Sequence, residues 1–396
     1  MFLRPAFALS VLIALPVCAA PWERGGRNTD LQPVFPEQFR AEMVDSGVAL
    51  RVETIADGLD HPWGIAVLPE GGYLVTERSG ALRRVSEGGE VSAPLAGVPE
   101  VFNRRQGGLL DVTLAPDFAE SRRVYLTYSK PMGSGRSVTA AGYGVLTGDG
   151  TALDGFTEIF AQTPPSPTPM HYGSRILFDG AGHVFVTTGE HSSPQERVFA
   201  QDLDTTYGKV IRLTPEGDIP ADNPFVGDET AIASIWSYGH RNMQGATLHE
   251  GALWTIEHGP AGGDELNRPE PGKNYGWPVI SYGQNYNGSP VGSGEAQAEG
   301  MEQPVYFWDP VIAPGGMISY SGEAFGAWQG DLFIASLNPG GIVRLSLEDG
   351  RVQEEERLAT DLGRVRDVAQ APDGAILAVT DADNGRLVRI VPAPGG

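Results

Sequence analysis

The stretch from Leu68 to Val85 reads LPEGGYLVTERSGALRRV, and its pattern returns along the whole chain. It joins a Gly-containing turn, a short β-rich run, a polar turn and a second short run, which indicates two adjacent strands. The final copy is APDGAILAVTDADNGRLVRIV at 371–391. The copies between them are APDFAESRRVYLTYS at 115–129, FDGAGHVFVTTGEH at 178–191 continued by GKVIRLTPEGDI at 208–219, LHEGALWTIEHGP at 248–260, and WQGDLFIASLNPGGIVRLSL at 328–347.

Six copies of a unit made of short strands predict an all-β fold, a six-bladed β-propeller with antiparallel four-stranded blades. We expect the propeller domain to occupy residues 45–393. A β-sandwich with accidental turns is the alternative, but a sandwich rarely needs six similar units. Because a propeller collects the loops of every blade at the mouth of its central channel, we expect the functional site there.

The N-terminus has the layout of a secretory signal. Arg4 precedes an apolar stretch from Ala6 to Val17, which is too short to span a bilayer, and small residues follow it. We predict a signal peptide over 1–19, cleaved near Ala19, and a periplasmic or secreted protein. Cys18 raises a lipoprotein alternative, although the valine before it is not the small residue that such signals use. Residues 20–44 are predicted to form an extended N-terminal segment.

Composition narrows the possible functions further. The formal net charge is −22, which disfavours binding to nucleic acid. The only cysteine is removed with the predicted signal, so the mature chain would lack disulfides, a thiolate nucleophile and a Cys-based zinc site. No later segment is long enough for a membrane span. These features are typical of an exported enzyme that relies on a large hydrophobic core.

Several loops carry more charged, His and Gly residues than turns require. Each alone is weak evidence, since a lone histidine is more often a hydrogen-bonded structural residue and Gly pairs usually serve turns. The loops are NRRQGGLLD at 103–111, MHYGSR at 170–175, YGHRNMQ at 238–244, EHGPAGGDELNRPEPGKNYGWP at 257–278 and GRVRD at 363–367.

Taken together and in this order, these segments resemble the soluble PQQ-dependent aldose dehydrogenases of the glucose/sorbosone type. The similarity runs from about Gly58 to Ile390 and rests on nine segments rather than one short motif. They are GLDHPWGIAVLPEGGYLVTER, QGGLLDVTLAPDF, HYGSRILFD, GKVIRL, GDIPADNPF, YGHRNMQG, EHGPAGGDELN, GKNYGWP and RVRDV. The resemblance implies oxidation of aldose sugars at the anomeric carbon to lactones, with pyrroloquinoline quinone (PQQ) as hydride acceptor and calcium as Lewis acid.

The resemblance also implies roles for individual residues. His171 stands at the position of the catalytic base, a role that suits a pKa near neutrality. Glu190 stands where the family usually has an aspartate partner, and Arg241 completes the catalytic group. The Gly259 and Pro260 carbonyls match calcium ligands, since calcium prefers oxygen. The remaining implied contacts are Arg241, Asn242 and Gln244 to the quinone edge, Arg364 and Arg366 to PQQ carboxylates, Gln106 to cofactor and sugar, Asp264 to sugar, and Glu257 with Asn267 to a second calcium.

One implied cofactor contact departs from the family. Asn338 stands where the best-studied members have a lysine, and an amide can donate a hydrogen bond without neutralising charge. We therefore expect PQQ to depend strongly on the remaining arginines.

Two other functions fit parts of the sequence. A calcium-dependent propeller lactonase would also place a metal in the channel, but it would hold the metal with side-chain carboxylates and lack the Arg-x-Arg pair. A non-catalytic propeller could use the same loops to bind a partner. The sequence identifies neither the periplasmic electron acceptor nor the oligomeric state.

Overall fold

The computed structural model describes residues 22–394. The predicted signal peptide at 1–19 lies outside the described residues. Within the described part, every helix is too short or too polar to serve as a transmembrane segment. The chain folds as six β-sheets arranged as the blades of a propeller, so the predicted fold class is confirmed.

Two strands precede the first blade, β1 (Glu42–Met43) and β2 (Leu50–Leu59). Blade one contains β3 (Pro62–Val67), β4 (Tyr73–Glu77) and β5 (Leu82–Val85). Blade two contains β6 (Leu109–Leu114), β7 (Arg123–Pro131), β8 (Ser137–Leu146) and β9 (Leu153–Ala161). Blade three contains β10 (Gly173–Phe178), β11 (Val184–Thr188), β12 (Lys209–Leu213) and β13 (Ile235–Tyr238).

The second half of the ring follows the same plan. Blade four contains β14 (Met243–His249), β15 (Ala252–Glu257), β16 (Asp264–Asn267) and β17 (Tyr306–Trp308). Blade five contains β18 (Pro314–Ser319), β19 (Leu332–Ser336), β20 (Ile342–Glu348) and β21 (Arg351–Leu358). Blade six contains β22 (Val365–Gln370), β23 (Ile376–Thr380) and β24 (Gly385–Pro392). The helices are single turns: α1 (Phe118–Ser121) and 3-10 turns at Pro36–Gln38, Arg197–Ala200, Gly326–Trp328 and Thr360–Leu362.

Blade six is completed by the beginning of the chain. Strand β2 pairs antiparallel with β24, from Leu50 opposite Pro392 to Leu59 opposite Gly385. This pairing supplies the fourth strand of the blade and closes the ring. In blade one the named strands number three, and a bridge between Val85 and Val91 continues its edge.

The N-terminal segment packs against the outside of the ring. Strand β1 adds a fifth, parallel strand to blade five, with Glu42 opposite Glu354. Phe39 stacks on Phe307 of blade four with ring centroids 4.5 Å apart. Residues before the propeller thus cover blades four and five.

The core lies between neighbouring blades rather than in one central mass. Leu74 and Leu126 belong to a cluster between blades one and two, and Val75 and Leu377 to a cluster between blades six and one. The sequence explains these layers, because strands such as β4 and β23 are buried along their whole length and begin with a run of apolar residues.

The innermost strands β3, β6, β10, β14, β18 and β22 surround the channel, and its centre holds a buried ion cluster. Arg175 Nη1 lies 2.7 Å from Asp111 Oδ1 and 3.2 Å from Asp367 Oδ1. These residues come from three different blades and are each at most 7 % exposed. Burial raises the pKa of Asp111 to about 7, although Arg175 acts in the opposite direction. This ion cluster connects the innermost strands of blades two, three and six.

Candidate active site

The starts of the six innermost strands meet at one mouth of the channel and enclose a cavity of about 260 Å³. Four of its lining residues are arginines, from blades one, four and six. Its lining consists of Trp63, Arg78, Gln106, Met170, His171, Ser192, Arg241, Asn242, Gln244, His258, Gly259, Tyr286, Ala313, Leu337, Arg364 and Arg366. The structure therefore brings together eight of the predicted site residues: Gln106, His171, Arg241, Asn242, Gln244, Gly259, Arg364 and Arg366.

His171 and Glu190 form a buried pair in the wall of this cavity. His171 Nδ1 lies 3.2 Å from Glu190 Oε1, and the two residues are 5 % and 0 % exposed. Burial would raise the pKa of Glu190, but His171, Arg241 and the Ser192 N–H outweigh it and lower that pKa. Burial also lowers the pKa of His171, which Glu190 opposes. An ionised Glu190 only accepts hydrogen bonds, so Nδ1 carries the proton and Nε2 has a free lone pair.

The backbone that carries this pair is strained. His171, His191 and Ser192 have positive φ angles of 47°, 63° and 70°, a region that non-glycine residues rarely adopt. The loop is held from outside, because Gln106 Oε1 accepts a 2.8 Å hydrogen bond from His171 N and Asn242 Oδ1 accepts one of 2.9 Å from Gly173 N. Such conformations persist where surrounding contacts fix them, and they concentrate at functional sites.

Arg241 connects the histidine pair to blade four. Its Nη1 donates to His258 O at 2.9 Å, and its guanidinium lies 5.0 Å from the centre of the Trp277 ring. Its Nε is 3.9 Å from Glu190 Oε1. The guanidinium is thereby fixed at the cavity wall.

The two arginines of blade six share one carboxylate. Arg364 Nη2 and Arg366 Nη2 donate to Asp381 Oδ2 at 2.8 and 2.9 Å. Arg366 is also bonded to Gln244 Oε1 at 2.7 Å. Burial would raise the pKa of Asp381, but Arg366, Arg364 and His61 lower it. One carboxylate thus pairs with two guanidinium groups, so the three side chains together keep a positive charge.

Arg78, which the sequence analysis did not select, adds a further cation. Within residues 22–394 its guanidinium forms neither an ion pair nor a hydrogen bond. Burial lowers the pKa of Arg366, and the nearby positive charge of Arg78 lowers it further. It directly follows β4, in a stretch whose sequence predicts only a strand and a turn. Its place in the cavity wall becomes visible only when the blades are arranged around the channel. Trp63, His258 and Tyr286 were also overlooked, because aromatic residues in strands and loops usually indicate packing.

The Gly259–Pro260 loop approaches the cavity with two free carbonyls. Among the described residues, neither carbonyl oxygen accepts a hydrogen bond. A Cβ on Gly259 would lie 2.2 Å from the Gly263 backbone, so only glycine permits this close turn. Unpaired carbonyl oxygens suit a calcium ion, and the loop therefore fits the predicted ligand role.

Asp264 lies behind this loop rather than on the cavity wall. Its carboxylate accepts hydrogen bonds from Gly259 N, Ile312 N and Ala313 N at 2.7, 2.8 and 2.7 Å. Burial raises its pKa to about 7 despite these three donors. Asp264 is thus not among the cavity-lining residues, and its oxygens accept the hydrogen bonds that fix the loop. Its contact with the sugar stays a prediction.

Glu257 and Asn267 lie beneath the loop, as expected for two neighbouring strands of blade four. Asn267 Nδ2 donates to Glu257 Oε1 at 3.0 Å, and its buried Oδ1 has no partner among the described residues. Burial and the neighbouring Glu257 raise the pKa of Glu265 well above its usual range. Two close carboxylates and an orphaned amide oxygen fit a cation. Within residues 22–394, no three His, Cys, Asp or Glu side chains converge on a metal position, so calcium there would need amide and backbone oxygens as well.

Asn338 is not among the residues that line the cavity. The preceding Leu337 lines it, whereas Asn338 and Pro339 line a second cavity on the other side of the same segment. Its predicted contact with a cofactor is therefore not supported by its position, and Arg78 supplies a cation from another blade.

The fold and this cavity define a β-propeller protein with a cationic binding site and a buried His–Glu pair at one channel mouth. Residues 59–389 match the sequence profile of the Glucose / Sorbosone dehydrogenase family. Aldose sugar dehydrogenase YliI of Escherichia coli K12 is 46 % identical over 349 residues, covering 87 % of this chain and 93 % of that protein. The chain belongs to the glucose/sorbosone dehydrogenase family and is thus an oxidoreductase, as the sequence resemblance predicts.

Solved structures agree with this assignment. The apo-form of the soluble aldose sugar dehydrogenase from Escherichia coli superimposes with a TM-score of 0.84 at 45 % identity, over 87 % of this chain and 100 % of that one. The PQQ-bound aldose sugar dehydrogenase of Streptomyces coelicolor gives a TM-score of 0.71 at 27 % identity, over 87 % and 99 % of the two chains.

Proposed function

We propose that this protein oxidises aldose sugars at the anomeric carbon to lactones, using PQQ and calcium bound at the channel mouth. The observation that carries the proposal is the buried His171–Glu190 pair in the wall of a cavity with four arginines. The signal-like segment at 1–19 supports a periplasmic or secreted location, which the N-terminal sequence of the exported protein would check.

The charge of each side chain determines the role that it would have in the reaction. His171 would take the proton of the anomeric hydroxyl on Nε2, because Glu190 fixes the proton on Nδ1 and favours the imidazolium once it forms. Burial keeps the resting imidazole neutral, as a base must be. Bound PQQ and calcium would supply a hydride acceptor and a Lewis acid, respectively.

The cationic wall suits a polycarboxylate cofactor. Arg78, Arg364 and Arg366 can form charge-assisted hydrogen bonds with carboxylates, the strong kind of such bonds. Gly259 and Pro260 would hold calcium through their free carbonyls. Gln106 and Tyr286 lie on the same lining, and Tyr286 is 79 % exposed, which leaves its ring available to a sugar at the rim.

Reconstitution tests the proposal. The purified apo-protein should show little activity and should gain aldose-dependent reduction of ferricyanide when PQQ and calcium are both added. NAD alone should not replace them. Lactone hydrolysis without sugar oxidation would instead identify a lactonase. A protein that shows no activity with or without PQQ, but binds a partner, would be a binding propeller.

Arg78 gives a second, residue-level test. Arg78→Gln should raise the PQQ concentration for half-reconstitution by about 10-fold, since a hydrogen bond to a charged group contributes about 1.5–3 kcal/mol. The effect should be largest at low salt, where screening is weakest. PQQ titration followed by absorbance measures it without turnover. Arg84→Gln, on the neighbouring strand β5 and outside the cavity, is the matched control. Equal PQQ affinity in both variants would show that Arg78 does not contact PQQ.

A further inference from the structure

His61 lies where the first and the last blade meet. Its backbone N–H donates to Ala382 O of blade six at 2.9 Å, and its carbonyl accepts from Arg78 N of blade one at 3.2 Å. Its φ angle of 44° is one that non-glycine residues rarely adopt. Because contacts from both blades fix this conformation, the His61 side chain has a defined place between them.

Both ring nitrogens of His61 contact carboxylates. Nδ1 lies 2.9 Å from Asp381 Oδ1, and Nε2 lies 2.8 Å from Asp383 Oδ1. An ionised carboxylate only accepts hydrogen bonds, so each ring nitrogen must carry a proton for both bonds to form. The imidazolium meets this condition, whereas a neutral imidazole would lose one of the two bonds. The geometry therefore favours the charged form of His61.

Asp381 connects His61 to the arginine pair of blade six. Its Oδ1 faces His61, whereas its Oδ2 accepts from both Arg364 and Arg366. The Asp381 side chain is 6 % exposed, so water has little access to it. A charged His61 shares this carboxylate with the two guanidinium groups, whereas a neutral His61 would leave it to them alone.

The other charged groups near His61 lie on the side of blade one. Glu77 accepts a hydrogen bond from Asp60 N at 3.0 Å and pairs with Arg83 at 2.9 Å, while the Asp60 side chain is exposed. Arg78 adds a cation to the cavity wall. Within residues 22–394, the ion pairs of the imidazole are made with the two aspartates of blade six.

The proton on His61 decides the charge of this cluster. The imidazolium, Arg364 and Arg366 are opposed by the carboxylates of Asp381 and Asp383, which leaves one positive charge. Loss of the His61 proton removes that charge and leaves Asp381 to hold the two arginines more strongly. An anion at the channel mouth would then be bound less tightly, because its attraction to the wall depends on the remaining charge.

We propose that His61 is a positioning residue whose protonation sets the affinity of the channel mouth for its polycarboxylate cofactor. This inference rests on the proposed function, in which that cofactor is PQQ. The affinity is high while His61 is charged and falls as the pH rises, since histidine loses its proton between about pH 5 and 8. His61 needs no contact with the cofactor, because Asp381 and the two arginines transmit the change.

PQQ titration followed by absorbance, with saturating calcium and from about pH 6 to about pH 9, tests the proposal without turnover. His61→Gln removes the charge, so its Kd for PQQ should exceed that of the wild type by about 3- to 10-fold at the acidic end and match it at the alkaline end. His61→Lys keeps a charge throughout, so its Kd should match the wild type at the acidic end and be lower by about the same factor at the alkaline end. Comparison at equal pH removes the titration of PQQ, His171, His258 and Asp264, which all variants share.

Two further variants complete the experiment. Asp383→Asn removes a carboxylate from a side chain that is 99 % exposed, so the fold is preserved and the fall in PQQ affinity should move to lower pH. His183→Gln removes a histidine that pairs with Asp179 outside the cavity lining, and its Kd should match the wild type at every pH. The proposal is overturned if the ratio of the His61→Gln and wild-type Kd values is the same at every pH, if His61→Lys behaves like His61→Gln, or if Asp383→Asn leaves the pH dependence in place. A wild type that binds no PQQ at any pH would instead contradict the proposed function.

Discussion

His171→Gln is expected to lower kcat for aldose oxidation by about 10²–10⁴-fold, the usual effect of removing a general base. Glutamine retains a polar side chain but has no nitrogen that accepts a proton near neutral pH. Glu190 would remain buried beside it, and the cavity arginines would be unchanged. Steady-state kinetics with saturating PQQ and calcium measures the loss.

Two controls separate catalysis from folding. His183→Gln changes a histidine in a turn of blade three, which pairs with Asp179 at 2.8 Å and is not among the residues that line the cavity. Its kcat should match the wild type. PQQ titration of His171→Gln should give a Kd close to that of the wild type. A near-normal kcat in this variant would assign His171 a structural role.

Arg175→Met is expected to lower the free energy of unfolding by about 3–5 kcal/mol, as when one partner of a buried ion pair is removed. The substitution leaves Asp111 and Asp367 buried near each other without the cation between them. Urea unfolding at pH 8 measures the loss. Arg123→Met is the control, because Arg123 pairs with Glu216 at the surface and such pairs contribute about 0–1 kcal/mol.

The pH dependence of this loss has a defined sign. Burial already raises the pKa of Asp111 above its usual range, and burial raises that of Asp367 too, while Arg175 lowers both. A carboxyl whose pKa is higher in the folded state stabilises the fold as pH falls. Without Arg175 both pKa values should rise further, so the difference between variant and wild type should shrink from pH 8 to pH 5. A constant difference across this range would show that packing, rather than charge, accounts for it.

The sequence predicted the fold well because local and global signals agree. The six repeats correspond to the six sheets, and the buried run Ile376–Thr380 became the strand β23 that its apolar composition indicates. Blade one shows the limit of this approach. Its fourth position is a bridge at Val91, and a single bridge leaves no periodic pattern in the sequence.

The sequence predicted those site residues that stand in a recognisable motif. His171 and Arg241 stand in motifs rich in Gly and His, and both line the cavity. Arg78 was overlooked because its place at the channel mouth depends on the angle of blade one around the ring. Asn338 and Asp264 are not among the residues that line the cavity, and their implied contacts with cofactor and sugar stay predictions.

The pairing of β2 with β24 determines when the ring of blades can close. Ribosomes make the strand at Leu50–Leu59 before the six blades, whereas its partner at Gly385–Pro392 is made after the strands of the other five blades. Such a distant contact is slow to form, since the intervening chain must first be ordered. Arg364 and Arg366 belong to the blade that this contact finishes. Maturation of the cationic pocket therefore requires that both of these distant strands have been made, and a chain that stops before Gly385 would carry both arginines in a blade without the β2–β24 pairing.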